Sequence, residues 1–274
     1  MKIYISADIE GVAGIVDWEQ CRPSGGAAWQ EGRDLLTAEV NAAIEGAFLA
    51  GAHSIVVNDA HGAMRTLLPR SLDPRVRLIQ GRVKTNYMLE GLDRSFDGMF
   101  LVGYHGGAGA RFGVLNHTYS PYETRLNGTT VDEALLNAAV AGVGFDVPVA
   151  LVSGDEWTIH EVRRTLGAGL IGVATKRSTS RYAAESLHPT EACRMIADGA
   201  QQAIPRVSTL IPYLPPGPYT IELDFETSAQ ADRAALMPAT ERVADRTVSY
   251  TDSDILTMYR AYQALMILGR SGEV

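Results

Sequence analysis

The chain has 274 residues, which at about 150 residues per domain predicts one or two domains with a sizeable core. An apolar fraction of 46% and a charged fraction of 20% are typical of a folded globular protein, so disordered, collagen-like and disulfide-scaffold classes are excluded. The formal charge is −8, and no run rich in Lys and Arg occurs. Nucleic acid and anionic membranes are therefore poor partners, and we expect a small-molecule partner.

Two cysteines, Cys21 and Cys193, lie far apart and form no C-x-x-C motif, so we predict neither a disulfide framework nor a thiolate metal site. Near the N-terminus, Asp8 and Glu10 interrupt the apolar stretch that a signal peptide would need. No uncharged apolar run reaches the ~18 residues of a membrane span. These features predict a cytoplasmic location.

Short runs of β-branched residues alternate with helical patterns through most of the chain. In chain order we predict a strand at 2–7, a helix at 34–50, strands at 54–57, 76–79 and 99–102, a helix at 131–140, a strand at 147–152, a helix at 156–166 and a strand at 170–174. This alternation predicts an α/β fold whose mostly parallel sheet is flanked by helices.

A proline-rich stretch at 211–218 indicates a boundary. After it we predict a strand at 219–225, extended residues to 250 and a helix at 253–268. We therefore predict an α/β domain of residues 1–210 and a smaller C-terminal α+β subdomain, residues 211–274, packed on it.

Acidic and imidazole side chains follow three of the predicted strands. Asp8 and Glu10 end the first strand two residues apart, which directs both carboxylates to one side. His61 and His105 each come just after a later strand. Each alone is explained by an exposed strand end or a surface loop. Because ligands of open α/β sheets bind outside the carboxyl ends of the strands, the four together indicate a functional site.

A further carboxylate stands at the start of the predicted helix 131–140. Its presence there is also explained by the helix dipole, which favours acidic residues in the first turn. As a ligand, Glu133, with Asp132 as the alternative, would complete an oxygen- and imidazole-rich set that suits zinc, manganese or iron. We prefer zinc, the commonest choice in hydrolases.

Five ligands exceed the three that a single catalytic zinc takes, so two ions fit better. In this arrangement Asp8 bridges ions ~3.5–4 Å apart, with Glu10 and His61 on one and His105 and Glu133 on the other. Such a pair of ions predicts a hydrolase.

One more histidine, His117, lies in a segment without periodicity, which predicts a loop above the same edge. Two roles stay open for it: a sixth metal ligand, or a catalytic histidine outside the metal shell that handles protons.

These residues resemble the zinc-dependent D-aminopeptidases. The family's opening pattern Ser-x-Asp-x-Glu-Gly stands here at residues 6–11. Further matches follow in order over nearly the whole chain: Val57 to His61, Gly103 to His105, Gly113 to His117, Glu133 with Asn137 and Ala138, Gly154 with Asp155, Lys176 with Ser180 and Arg181, and Leu236 to Pro238. The chain differs from the family pattern beside His117 and at Ala239, so we expect a pocket of different shape.

The resemblance implies removal of N-terminal, D-configured amino acids from short peptides or amides, with two Zn²⁺ ions per chain. It implies that Asp8 bridges the zinc ions, that Glu10 and His61 complete one site and His105 and Glu133 the other, and that His117 is the catalytic histidine. It also implies a ring-shaped homodecamer with its sites facing an inner channel.

Competing functions differ in how well the sequence fits them. The glycine-rich segment 106–113 lacks both phosphate-binding patterns, which argues against a nucleotide-binding enzyme, and no G-x-S-x-G motif of a serine hydrolase occurs. A two-metal phosphoesterase or another amidohydrolase would use the same ligand types and stays open as the alternative. A non-catalytic metal-binding protein would not need His117.

Overall fold

A seven-stranded sheet forms the centre of the molecule in the computed structural model, which describes residues 1–120 and 122–270. In spatial order its strands are β3 (Arg77–Ile79), β2 (Ser54–Asp59), β1 (Lys2–Ala7), β4 (Gly98–Tyr104), β7 (Val149–Asp155), β8 (Ile171–Ser180) and β9 (Ala183–Ser186). All neighbours in this sheet run parallel except β9, which is antiparallel to β8.

Helices cover the sheets, at α1 (Ala27–Leu49), α2 (Glu133–Phe145), α3 (Glu156–Leu166), α4 (Pro189–Ala203), α5 (Ser228–Ala234) and α6 (Ile255–Arg270). Within the described part of the chain, no helix is long and apolar enough to cross a membrane.

Both faces of the large sheet are buried, which explains why its central strands read as continuous apolar runs. Ile3 and Ile5 of β1 pack in one hydrophobic cluster with α1 and α4, represented by Val40 and Ile196. Tyr4, between them, belongs to the cluster on the other face, which includes residues of α2 and α6. The sheet is therefore the middle layer between two cores.

A second, antiparallel sheet has the order β11 (Thr240–Arg242), β12 (Thr247–Asp252), β10 (Tyr219–Asp224), β5 (Glu123–Leu126) and β6 (Thr129–Thr130). Alternate residues of β10 are buried, as expected for a strand with one face on a core. Strands β5 and β6 come from the middle of the chain, so this sheet joins residues on both sides of 211. The division into domains at that residue stays a prediction.

The predicted α/β class, with a mostly parallel sheet flanked by helices and a smaller α+β part, is confirmed by this architecture. Three local expectations need correction. The first helix begins at Ala27 rather than Asp34, the helix expected from Val131 begins at Glu133, and α5 lies in a stretch predicted to be extended.

Candidate metal centre

The ends of three adjacent strands, β2, β1 and β4, provide the first side chains of the centre. Asp8 follows β1 directly and His105 follows β4 directly, while His61 lies two residues beyond β2. Since adjacent parallel strands end at the same edge, the three side chains meet there, as the sequence predicts.

Glu10 lies in a turn beyond β1, not on the strand itself as the spacing suggested. Two contacts fix this turn: the Gly11 amide donates to Gly103 O at 2.8 Å, and Lys176 Nζ donates to Glu10 O at 2.5 Å. A Cβ on Gly11 would lie 1.9 Å from Tyr104 O, so only glycine permits this approach. The close contact holds Glu10 beside the end of β4.

The two acidic residues at the start of α2 have different positions. Asp132 is the N-cap, and its Oδ1 accepts a hydrogen bond from the Leu135 amide at 2.7 Å. Glu133 is buried and faces the histidines, with Oε1 3.7 Å from His105 Nε2. Of the two alternatives left open by the sequence, Glu133 is the one that reaches the cluster.

The loop residue His117 stacks on His105, with ring centroids 4.3 Å apart and planes within 4° of parallel. Its Nε2 lies 3.7 Å from Glu133 Oε1 and 3.9 Å from Glu10 Oε1. The loop therefore brings His117 over the edge of the sheet and into the same cluster.

Each of the three histidines is oriented by a backbone carbonyl. His105 Nδ1 donates to Gly106 O at 3.0 Å and His117 Nδ1 to Leu115 O at 2.9 Å, whereas His61 Nε2 donates to Cys21 O at 2.7 Å. A carbonyl oxygen only accepts, so each of these nitrogens carries a proton. The other nitrogen of each ring faces the carboxylates, and in the neutral ring it is the atom that can bind a metal, the orientation that metal-binding histidines adopt.

The six side chains form three overlapping groups in which the possible ligand atoms lie within 4.8 Å of one another. The groups are Asp8 with Glu10 and His61, Asp8 with His105 and Glu133, and Glu10 with His105 and His117. The first two correspond to the pair of sites predicted from the sequence, with Asp8 common to both.

The buried Glu10 carboxylate and His105 Nε2 make no regular hydrogen bond among the described residues. Their near neighbours belong to the same cluster: His61 Nδ1 lies 3.0 Å from Glu10 Oε2, and His105 Nε2 lies 3.4 Å from Asp8 Oδ2. An unpaired buried carboxylate is costly, and natural proteins keep such groups when they pair with charges or coordinate metals. The donor set therefore fits a metal ion.

The pKa values of the site residues also indicate that its carboxylates lack enough positive charge around them. Burial lowers the pKa of His61 and His105, but the neighbouring carboxylates outweigh burial and raise both pKa values well above the usual range. Burial raises the pKa of Glu133, and burial together with the charge of His105 lowers the pKa of His117 to about 4. A bound dication would supply the charge for which these groups compete.

The centre lies at the base of a cavity of about 760 Å³. Asp8, Glu10, Glu133 and His117 line its base, and two tryptophans and several arginines also line it. Among the other lining residues is Tyr87, which has a left-handed φ of 48° and packs on Tyr119 at 5.2 Å. The sequence analysis missed Tyr87, because no periodicity or local motif connects residue 87 with this site.

The remaining histidines, for which the sequence indicated no role, lie outside the three groups. His188 is the N-cap of α4, and its Nδ1 accepts from the Thr190 amide, while His160 contacts Glu161 on an exposed face of α3.

Comparison with known proteins gives consistent results. The sequence model of a family described as D-aminopeptidase matches residues 1–264. A curated D-aminopeptidase of Bacillus subtilis (strain 168) is 35% identical over 271 residues, covering 98% of this chain and 96% of that protein. The solved structure of the Zn-dependent D-aminopeptidase DppA from Bacillus subtilis, described as a self-compartmentalizing protease, superposes with a TM-score of 0.95 at 33% identity and covers 100% of both chains.

Proposed function

Because the chain belongs to the D-aminopeptidase family, we propose that it is a zinc-dependent hydrolase that removes N-terminal D-amino acids from short peptides or amides. One observation of the site carries the proposal. The fully buried Glu10 carboxylate lies among the ring nitrogens of His61, His105 and His117 at the base of an open cavity. That arrangement supports a metal-binding catalytic centre.

The proposed ligands form two sites with one shared residue. Asp8 would bridge two zinc ions, with Glu10 and His61 on one and His105 and Glu133 on the other, which is supported by the first two ligand groups. Asp8→Ala removes a contact to both ions, so we expect it to lose both, whereas a Glu10 variant affects one site first. An Asp8→Ala protein that keeps two zinc ions would contradict the bridging role.

Bound zinc supplies an activated water and polarises the scissile carbonyl. The chain's own contribution includes His117, whose Nδ1–H is engaged by Leu115 O and whose Nε2 therefore faces the carboxylates as a proton acceptor. The Trp18 ring packs edge-on against the His117 ring, with centroids 5.3 Å apart, and so limits the positions that the imidazole can take. We propose that His117 moves the proton between the attacking water and the leaving amine.

The test combines metal analysis with stereospecific activity. Zinc content is measured on the purified protein, and hydrolysis of the p-nitroanilides of D-alanine and L-alanine is followed before chelation, after it and after zinc is restored. We expect two zinc ions per chain, preference for the D-substrate and reversible loss of activity. Activity that survives complete metal removal, or cleavage of chromogenic phosphate esters but neither anilide, would overturn the proposal.

A pair of isosteric variants sharpens this test. Glu10→Gln keeps the size of the side chain but weakens the ligand, so we expect loss of zinc. Glu39→Gln is the matched control, because Glu39 is also buried but lies outside the three ligand groups, and it should keep the metal.

We also propose a ring-shaped homo-oligomer of ten subunits in the cytoplasm. Large apolar side chains on the monomer surface support association: Val83 is 98% exposed, Ile211 84% and Leu236 78%. The free cysteines Cys21 and Cys193 are compatible with a reducing compartment. Light scattering should give a particle several times the 29.5 kDa of the chain, and a fully active monomer would refute the assembly.

A further inference from the structure

Arginine side chains are concentrated around the cavity that leads to the metal centre. Six of them line it, although the whole chain carries a formal charge of −8. Within the described ranges none of the six has a carboxylate oxygen within 4.0 Å, while arginines elsewhere on the surface form ion pairs. The six are Arg22, Arg33, Arg65, Arg82, Arg181 and Arg270.

Four of these guanidinium groups, those of Arg33, Arg82, Arg181 and Arg270, donate hydrogen bonds to uncharged acceptors. Arg82 donates from Nε to Gly62 O at 3.1 Å and from Nη2 to the same carbonyl. Arg270 donates from Nε to Ser120 Oγ at 2.8 Å and from Nη2 to Tyr119 O. The acceptors of Arg82 and Arg270 are uncharged, so they orient each guanidinium without neutralising it, and no described residue accepts from either Nη1.

Both anchors are next to the metal centre. Gly62 follows His61 in the chain, and Tyr119 donates its amide to Glu133 Oε1. Tyr87 lines the same cavity as both arginines, and their positive charges oppose the rise in its pKa that burial causes. Arg82, Arg270 and Tyr87 thus share the wall of one cavity.

An aminopeptidase that acts on short peptides must place the amino end of its substrate at the metals, and the rest of the peptide then extends along the cavity. One residue spans ~3.3–3.6 Å, so the C-terminal carboxylate of a di- or tripeptide lies one or two residue lengths from the scissile bond. A guanidinium group forms strong, charge-assisted hydrogen bonds with a carboxylate.

We propose that Arg82 and Arg270 bind the free C-terminal carboxylate of the substrate and so select short peptides over amides and longer chains. This inference rests on the proposed aminopeptidase activity. It assigns substrate length and charge selection to two residues outside the metal centre.

The experiment compares each peptide with its own amide in the zinc-loaded enzyme. The probes are alanyl-glycine and alanyl-glycyl-glycine, each as free acid and as C-terminal amide, with D- and with L-alanine. We expect kcat/KM to be about 10- to 100-fold higher for the acid, the range of a charge-assisted contact, and to fall toward the amide value at high salt. Equal values for acid and amide would overturn the inference while leaving the aminopeptidase proposal intact. Cleavage of none of them would overturn both.

Variants identify the arginines that are responsible. Arg82→Gln and Arg270→Gln should each reduce the ratio of kcat/KM for the free acid to kcat/KM for the amide, mainly because KM for the acid rises. The matched control is Arg33→Gln, because Arg33 lines the same cavity but uses its donors on Thr66 O, Gln30 Oε1 and Arg65 O. The ratio is measured within one protein, so partial loss of folded enzyme cancels. An unchanged ratio in both Arg82→Gln and Arg270→Gln would refute their assignment.

A last comparison distinguishes binding of the C-terminal carboxylate from binding of a side-chain carboxylate. The amide of alanyl-glutamate carries its only carboxylate on the side chain, and the amide of alanyl-glutamine carries none. We expect similar rates for these two amides. If the glutamate amide is cleaved as fast as the free acids, the arginines do not select the C-terminus and the inference is wrong.

Discussion

We expect the loss of the Lys176 ammonium group to lower both the stability of the fold and the affinity for zinc. This group is buried and donates three hydrogen bonds, to Glu10 O at 2.5 Å, to Val12 O at 2.9 Å and to Ile15 O at 2.6 Å. Three donors are the full capacity of a lysine, and all of them are spent on the turn that carries the Glu10 ligand. Lys176→Met keeps the length of the side chain and removes every one of these bonds.

The size of the effect follows from these contacts. A hydrogen bond from a charged donor contributes about 1.5–3 kcal/mol, so the three give about 4.5–9 kcal/mol before any offset. Methionine avoids the cost of burying an ammonium ion, a cost that already lowers the pKa of Lys176 to about 8. We therefore expect a net loss of about 3–5 kcal/mol, as found when one partner of a buried charged network is removed. At about 2–4 °C per kcal/mol this is a fall in Tm of about 6–20 °C.

A second effect separates positioning from general stability. Once the turn at residues 10–15 is released, Glu10 is no longer held beside the end of β4, and zinc affinity should fall about 10- to 100-fold, as it does when groups that orient ligands are lost. Leu151→Ala is the control, because Leu151 is fully buried in β7 and its truncation costs about 2–5 kcal/mol without touching the turn.

The assays are thermal unfolding and competition for zinc with a chromogenic chelator. Lys176→Met should lower both Tm and zinc affinity, whereas Leu151→Ala should lower Tm alone. If the two variants lose stability equally and bind zinc equally well, the idea that Lys176 positions Glu10 is refuted.

Two further predictions concern His117 and a buried carboxyl group away from the metal. His117→Ala should keep two zinc ions and the Tm of the wild type, while its kcat falls about 10²–10⁴-fold. His105→Ala should instead lose both metal and stability. If metal analysis finds only one zinc ion in His117→Ala, His117 is a ligand. Burial raises the pKa of Glu39 from 4.5 to about 7, with Lys176 as its charged neighbour and the thiol of Cys193 nearby. The unfolded chain releases this proton at lower pH than the folded chain, so the contribution of the Glu39 carboxyl to stability is lost as pH rises from 4.5 through 7. Between pH 5 and pH 8 the free energy of unfolding of Glu39→Gln should therefore rise relative to that of the wild type by up to about 3 kcal/mol. A difference in unfolding free energy that does not change with pH would contradict this.

The convergence of Asp8, His61 and His105 could be predicted because it depends on one property of the sequence. Alternating strands and helices imply a parallel sheet, and a parallel sheet brings the residues that follow its strands to one edge. The three-dimensional arrangement adds little to that argument for these residues.

Where the prediction of elements was wrong, tertiary packing or an overlooked cap explains the difference. Helix α1 extends seven residues before Asp34, although its N-cap is Gly26 with no side-chain hydrogen bond and Gly32 lies within it. The low helix propensity of glycine disfavours a helix that begins at Ala27. The close packing of Gly32 on Gln20 O outweighs this unfavourable propensity. Helix α5 did carry a signal, the capping box of Thr227 and Gln230, which the extended reading of this stretch overlooked.

Tyr87, Arg82 and Arg270 could not be placed from the sequence. They reach the cavity from the segment after β3 and from the last turn of α6, and no motif or spacing connects either segment with the strand ends. Only the packing of α6 near the loop that contains Tyr119 brings Arg270 there. The side chains on the wall of the cavity are thus less predictable here than those that follow the strands at its base.

The charges of the site are separated by depth. Carboxylates lie at the base of the cavity and arginines along its wall, and within the described residues no arginine lies within 4.0 Å of Asp8, Glu10 or Glu133. If the arginines served to stabilise the fold, these opposite charges would be expected to pair, because each group alone is costly to desolvate. Keeping them apart leaves the base open to cations and the wall open to an anion. A short peptide could place its scissile carbonyl at the cations and its C-terminal carboxylate at the arginines. It could reach both only if these two groups are a short, fixed distance apart. If Arg82 and Arg270 bind the C-terminal carboxylate as proposed, the cavity selects substrates by their length more than by the identity of their side chains.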